Sequence, residues 1–202
     1  MNIFSLFLSL FFIIFSVSLY SKNTIIGAFG FQLGETLEFQ QTNGEKPFST
    51  KHEYLINPTE TKLKFDEYFV AINPITKEIT TITGKTRSKD YNHQKFLEKH
   101  FRELKLALTH KYGKPKEESG SKETWDGQTY QSNVLYYQVS DSSSWREIKL
   151  SWENLVFWVL TIEYTDKELV DRAKIASSIL LHEERKAKDR KTLKNINYLD
   201  DL

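Results

Sequence analysis

A repeat of apolar residues at helical spacing lies in the middle of the chain. Leu97, Phe101, Leu104 and Leu108 follow one another at intervals of four, three and four, with Lys, Glu and Arg between them. This spacing places them on one face of a helix. A glycine and a proline just beyond the repeat are typical residues for ending a helix. The pattern predicts an amphipathic helix over 91–112 that packs this face on a sheet.

Runs of apolar and β-branched residues lie on both sides of this helix and predict strands. The runs are IIGAFGFQLG, EYLINP, FDEYFVAINP and EITTITG before the helix, and SNVLYYQV, SWREIKLSW and LVFWVLTIEY after it. We predict a hairpin over 66–83 and a tight turn at Glu153-Asn154. The last run is apolar on both faces, which favours a central strand. The polar stretches QQTNGEKPFSTK and KEESGSKETWDGQTY predict loops, the second closing in a WDGQ turn.

A second long helix is predicted over 166–195, begun by Asp166 or Thr165 as its N-cap. We expect its inner face to consist of Leu169, Ala173, Ala176, Ile179 and Leu180. The order of elements is therefore strands, helix, strands, helix. That order predicts an α+β fold with a mostly antiparallel sheet.

The first residues of the chain form an apolar leader. From Ile3 to Leu19 there is no ionisable side chain, and Ser18 and Ser21 offer small residues for cleavage. We predict a signal peptide over 1–21, followed by a single domain over 22–202 that is exported to the periplasm or secreted. The alternative is a retained membrane anchor formed by residues 3–19, since about 17 residues is the minimum for a membrane-spanning helix.

Composition excludes several classes of function. The chain has no cysteine, which excludes a disulfide framework, a lipoprotein acylation site, thiolate metal ligands and a cysteine nucleophile. Its 28 basic and 27 acidic side chains are balanced. A dedicated nucleic-acid surface would show an excess of clustered Lys and Arg, so we predict no nucleic-acid partner.

The motifs that resemble catalytic or nucleotide-binding signatures are incomplete. Gly27, Gly30 and Gly34 have the wrong spacing for a dinucleotide fingerprint and fit a strand with close backbone packing and a bulge or turn. Gly84-Lys85-Thr86 lacks the first glycine of a P-loop and fits a loop between strand and helix. Ser119 to Lys122 matches S-x-x-K, but in a polar loop instead of a helix start. With no H-x-x-x-H pair among the five histidines, we predict no metal, no cofactor and no assignable catalytic residue.

Aromatic residues are concentrated in the second group of strands. Trp and Tyr are frequent anchors of protein interfaces but are also ordinary sheet formers, so both interpretations stay open. If both helices cover the same face of the sheet, the other face is left partly open. We predict Trp145, Trp152, Phe157 and Val159 as the candidate binding face, with Trp152 and Trp158 close together. A fold-back of the N-terminal strand over this face is the alternative.

Several short motifs recur in one group of proteins. They are Gly27, Phe29, Gly30, Leu33 and Gly34; Phe65, Tyr68, Val70 and Pro74; the KYGKP of 111–115; and the EYTD of 163–166. In these motifs the chain resembles an uncharacterised family of small exported bacterial proteins. The resemblance implies export and an α+β fold, and it carries no catalytic residue.

Two functions remain after these exclusions. We predict an exported, periplasmic, non-enzymatic protein that binds another exported protein or an envelope component. The alternative is an exported hydrolase that uses scattered carboxylates. An enzyme should show a deep pocket in which acidic or histidine side chains converge. A binding protein should show an exposed apolar surface.

Overall fold

A computed structural model describes residues 24–38, 42–45, 52–58, 64–125, 128–140, 145–154 and 157–197. The predicted leader and its cleavage site lie outside these residues. So do Asp126 and Gly127, the centre of the predicted WDGQ turn.

Within these ranges the chain forms ten strands and two helices. The strands are β1 (Gly27–Ala28), β2 (Phe31–Gln32), β3 (Thr42–Glu45), β4 (Glu53–Ile56), β5 (Glu67–Ile72), β6 (Ile79–Ser88), β7 (Glu117–Trp125), β8 (Gln128–Ser140), β9 (Trp145–Asn154) and β10 (Trp158–Asp166). The helices are α1 (Tyr91–Tyr112) and α2 (Lys167–Asn197). This confirms the α+β class and the order of strands, helix, strands, helix.

Eight of the described strands form one antiparallel sheet in the order β3-β4-β5-β6-β10-β9-β8-β7. β10 lies between β6 and β9, which confirms its predicted central position. β5 and β6 form the predicted hairpin. In the turn between them, the Asn73 side chain accepts hydrogen bonds from the backbone N–H groups of Ile75 at 2.9 Å and Thr76 at 3.2 Å. This is how an asparagine stabilises a turn.

The register of the strands divides their side chains between two faces, because neighbours across a ladder share a face. One face carries the apolar side chains of the core and is called the core face below. Its buried members on the five strands β5, β6, β10, β9 and β8 include Val70, Ile82, Ile162, Leu150 and Leu135. The other face, called the outer face below, carries mostly Thr, Ser, Lys and Glu on the same strands.

α1 covers the core face, as its spacing predicts. Leu97, Leu104 and Leu108 are buried in the same cluster as the sheet residues, and Phe101 packs against that cluster. Gly113 ends the helix with φ of 85°, a conformation that glycine adopts without strain.

The glycine-rich stretch at 25–34 was predicted as one strand with a bulge or turn, and it forms two short strands joined by a turn. β1 and β2 form a separate two-stranded hairpin. Phe29 and Gly30 make its turn, with φ of 58° and 87°, the positive values that a two-residue hairpin turn requires. A side chain at Gly27 would overlap the carbonyl oxygen of Phe31, so the predicted close backbone packing is confirmed.

This hairpin packs on the core face beside α1. Phe29 contacts the rings of Tyr68 and Tyr164 at 4.9 and 6.1 Å between centroids. Gly84 makes room for this contact, since a Cβ there would lie 2.7 Å from the Phe65 ring and 3.0 Å from the Phe29 ring. The N-terminal segment therefore covers the core face and not the outer face, contrary to the fold-back alternative.

Three polar segments differ from their predicted structure. KEESGSKETW was predicted as a loop and forms most of β7, an edge strand whose two faces both carry polar residues. Thr42–Glu45, also predicted as loop, forms β3. Glu153 and Asn154 were predicted as a turn and instead end β9, where Asn154 pairs with Trp158.

The Gly84-Lys85-Thr86 segment was predicted as a loop and lies inside β6, paired with β10 on one side and, from Gly84 to Lys85, with β5 on the other. Ser119 and Lys122 both lie on β7. Residues three apart on a strand point to opposite faces, so these two side chains cannot act together.

α2 begins where sequence predicts but leaves the sheet earlier than expected. The Asp166 carboxylate accepts the backbone N–H of Leu169 at 3.1 Å, which confirms Asp166 as the N-cap. Leu169 and Ala176 are buried as predicted. Ile179 and Leu180 were assigned to the inner face and are exposed instead.

Candidate binding surface

The four residues of the predicted binding face do not share one surface. Trp152 is 2 % exposed and lies on the core face, with its ring 5.1 Å from that of Trp158. The closeness of these two tryptophans is confirmed. Because Trp152 is buried on the core face with α1, it does not belong to an exposed surface.

Trp145 and Val159 lie on the outer face but far apart. Trp145 is 53 % exposed at the start of β9, whereas Val159 pairs with Glu153 near the end of that strand. Eight strand residues separate the two positions, which is about 27 Å. Phe157 is half-buried, and the ammonium group of Lys89 lies 4.9 Å from its ring centroid. Trp145 and Val159 therefore do not belong to one continuous apolar patch.

A groove lies between the first half of α2 and the outer face. Its volume is about 560 Å³. Apolar and hydroxyl side chains line it together with five charged ones, and no histidine is among its lining residues. The charged residues are Glu53, Glu163, Lys167, Asp171 and Lys174.

The charged side chains of the groove are already engaged with neighbours. Lys167 lies 2.8 Å from the carboxylate of Glu147, and Lys174 lies 2.7 Å from that of Asp171. The carboxylate of Glu163 accepts a hydrogen bond from the hydroxyl of Thr165 at 3.2 Å. Both lysines of the groove are therefore paired with carboxylates, and the carboxylate of Glu163 is bound by a hydroxyl group.

The start of α2 is held in place by one arginine. Arg146 donates from Nε to the Asp166 carboxylate at 3.0 Å and from Nη1 to the carbonyl oxygen of Ile25 at 2.8 Å. It therefore joins β9, the cap of α2 and the N-terminal segment. Because Asp166 is almost fully buried, this ion pair compensates a buried charge at the start of α2.

One titratable group of the core has a strongly shifted pKa. Burial, and to a lesser degree the neighbouring Tyr112, raise the pKa of Tyr164 well above its usual value. Tyr164 lies on β10, on the core face, in contact with the Phe29 ring. The shift reflects packing in the core and marks no reactive group.

A smaller cleft of about 260 Å³ lies between α1 and β8 and is lined by Glu98, Phe101, Arg102, Gln131, Asn133 and Trp152. The indole N–H of Trp152 and the side-chain oxygen of Gln94 are buried without a hydrogen-bond partner in the described part of the chain. Both atoms are closed off from solvent, so the open cleft does not reach them.

Four large apolar side chains are exposed close together on the described part of α2. Ile175 is 62 % exposed and Ile179 is 52 % exposed, and Leu180 and Leu181 are exposed beside them. From Ser178 to Arg190 every side chain is exposed. The helix continues for about 30 Å beyond Ser177.

Along α2 the exposed side chains form a regular line, which is called the α2 stripe below. It consists of Glu168, Arg172, Ile175, Ile179, His182 and Lys186, at alternating intervals of four and three. This is the spacing of the residues that face a partner helix in a coiled coil. Every member is exposed, and the buried residues Leu169 and Ala176 lie about 100° around the helix axis from the stripe.

Sequence reasoning missed the α2 stripe although a signal for it was present. Ile179 was assigned to the inner face because it follows Ala176 at helical spacing. The seven-residue intervals from Glu168 to Ile175 and from Ile179 to Lys186 were the available sign of a second, outer pattern. Periodicity alone does not tell where a helix leaves the sheet that covers its inner face.

The described residues offer neither a metal site nor a membrane-spanning helix. No three or more His, Cys, Asp or Glu side chains in these ranges are grouped so as to hold a metal ion. No helix within them combines the length and apolar character that a bilayer-spanning segment needs.

Comparison with known proteins adds no relative to this picture. No protein-family model matches the chain, and no curated protein matches its sequence.

Proposed function

We propose that the chain is an exported protein, periplasmic or secreted, that acts by binding another protein and has no enzymatic activity. The single observation that carries the proposal is the exposure of Ile175 and Ile179, one turn apart on α2. Exposed apolar residues at a spacing of four are typical anchors of a helix that docks against a partner.

The apolar composition of this part of α2 supports binding more than solvation. The segment from Ile175 to Leu181 has four large aliphatic side chains and no charge. A helix that serves only as a solvated extension needs charged or polar residues at such positions. Contact with a partner would remove these side chains from water, at about 25 cal/mol per Å² of apolar surface.

The alternative function, an exported hydrolase, has weaker support. Glu53 lies on β4 and Glu163 on β10, with β5 and β6 between them. The carboxylate of Glu163 accepts a hydrogen bond from the hydroxyl of Thr165 at 3.2 Å, and no histidine lines the groove beside these two carboxylates. The third carboxylate of the groove, Asp171, is paired with Lys174.

The proposal is tested by affinity capture from the envelope fraction of the native host, with a tagged full chain as bait and mass spectrometry as readout. The double variant Ile175→Ser and Ile179→Ser removes the apolar anchors at little cost to the helix, because serine and isoleucine have similar helix propensities. We expect the proteins captured by the wild type to be lost with this variant.

Leu106→Ser is the matched control. Leu106 is 71 % exposed on α1 and so loses the same kind of surface on another helix. Capture should be unchanged with this control, and denaturant melts should show that all variants are folded. Capture of the same proteins by the double variant, or no specific capture by the wild type, would contradict the proposal.

A further inference from the structure

We propose that the partner at the α2 stripe is a second copy of this chain, whose own α2 packs antiparallel against the first. This inference rests on the proposed function, because it names the partner at the same surface. It is carried by the order of charges along the stripe.

The two isoleucines set the register of the pair. An antiparallel arrangement in which Ile175 faces the partner's Ile179 is two-fold symmetric, so Ile179 also faces the partner's Ile175. The four side chains then form two adjacent apolar layers. Such layers at a and d positions are the core of a coiled coil.

This register places opposite charges together without further adjustment. Glu168 lies seven residues before Ile175, and Lys186 lies seven residues after Ile179. Glu168 therefore faces the partner's Lys186, and symmetry repeats the pair at the other end. These end layers are about 27 Å apart along the helix.

A second pair of charges flanks the stripe on one side. Asp171 and Arg185 both precede a stripe residue, Arg172 and Lys186 respectively, and both are exposed. In the same register Asp171 lies beside the partner's Arg185. Charged residues that flank the apolar seam set the orientation of paired helices.

The same charges disfavour a parallel pair. With Ile175 against the partner's Ile175, Glu168 would face the partner's Glu168, and Lys186 would face the partner's Lys186. Juxtaposed like charges suppress a binding mode. The antiparallel order replaces these repulsions with attractions. In this register Arg172 faces the partner's His182, and this layer adds no ion pair.

Ion pairs within α2 do not prevent this arrangement. Glu168 lies 3.9 Å from Arg172, Asp171 lies 2.7 Å from Lys174, and Lys186 lies 3.3 Å from Glu183. All are exposed pairs between close neighbours on one helix, which contribute little. With two apolar layers the dimer is small, so we expect a Kd on the order of micromolar to hundreds of micromolar.

The test is sedimentation equilibrium of the purified full chain over about 1 µM to 1 mM, which spans this range of Kd. The wild type should change from monomer to dimer. Asp171→Arg alone and Arg185→Asp alone should each weaken the homodimer at least tenfold, because each places like charges opposite one another. An equimolar mixture of the two variants should form a heterodimer, since both flanking pairs are then opposite in charge.

Glu184→Lys is the control. Glu184 is exposed on the other side of α2, and its reversal should leave the dimer at wild-type strength. Heterodimer formation by the mixture supports the antiparallel pair, because association through another surface would not respond to these charges.

A wild type that stays monomeric at all concentrations overturns the inference. So does a dimer that both single variants retain. These failures are separate from failure of the proposed function, because capture of another protein that depends on Ile175 and Ile179 would then still support binding at the stripe.

Discussion

Trp145 and Trp152 lie seven residues apart on β9 and face opposite sides of the sheet. Alternation along a strand predicts this difference in direction. Alternation does not show which side of the sheet is buried, because the elements that pack on that side are distant in sequence. Trp152 is buried on the face covered by α1, a helix that ends more than 30 residues earlier in the chain.

The two tryptophans should therefore differ sharply in their effect on stability. Trp152→Ala should lower the free energy of unfolding by about 3–5 kcal/mol, the cost of truncating a large buried side chain. Trp145→Ala should change it by no more than about 0.5 kcal/mol, as expected at an exposed site. Urea melts of both variants measure the difference, and similar losses for the two would place Trp145 in a contact that its exposure does not show.

Tyr164 should make the fold sensitive to alkaline pH. Its pKa is raised in the folded chain by burial and by Tyr112, whereas in the unfolded chain it ionises near pH 10. Because the folded state favours the protonated form, the stabilisation is complete below about pH 10 and is lost as pH rises above it. Tyr164→Phe should remove this contribution to the alkaline loss of stability.

Urea melts of the wild type and of Tyr164→Phe between pH 8 and 11 would give the free energy of unfolding of each protein as a function of pH. This range includes the usual tyrosine pKa of about 10. The wild type should lose more stability than Tyr164→Phe above pH 10. Parallel curves for the two proteins would mean that Tyr164 ionises equally easily in both states.

At the scale of elements, strong periodicity predicted structure well and weak periodicity did not. α1, the β5–β6 hairpin and the central position of β10 follow from apolar patterns that the fold buries. β7 was missed because its sequence shows no apolar alternation, in keeping with the exposure of its side chains from Glu117 to Lys122. The short β1–β2 hairpin was read as one strand because its turn residues, Phe29 and Gly30, are embedded in an apolar run.

The candidate binding surface was predicted less well than the fold for a related reason. The sequence shows where the aromatic residues are but not which elements bury them. It also shows the periodicity of α2 but not where the helix leaves the sheet. Both depend on the position of one element relative to another. Only burial in the folded chain distinguishes the exposed residues of the α2 stripe from the residues of α2 that pack on the sheet.

α1 should contribute to stability through one face only. Leu104→Ala should cost about 2–5 kcal/mol, because Leu104 is buried in the core cluster. Leu106→Ala, two residues further along the same helix, should cost no more than about 0.5 kcal/mol, because its side chain is exposed. Denaturant melts of this pair test the orientation of α1, and a loss below about 1 kcal/mol for Leu104→Ala would show it to be misassigned.

At the scale of the whole molecule, distant parts of the chain meet at Arg146. Its guanidinium group holds the carbonyl oxygen of Ile25 and the Asp166 carboxylate that caps α2. Breaking such a pair by removing one partner leaves the buried Asp166 charge uncompensated, which is strongly destabilising. The first described residues are therefore part of the folded domain and not an appendage to it.

Processing of the leader should leave this arrangement intact. Ile25 is fully buried in the core cluster, so a cleavage site that removed it would take away both its side chain and the acceptor for Arg146. We expect the mature N-terminus to lie within Leu19 to Asn23, just before this residue. Intact-mass measurement of the protein isolated from its native host would give the position of the mature N-terminus. A full-length mass, with the protein in the membrane fraction, would instead establish residues 3–19 as a retained anchor.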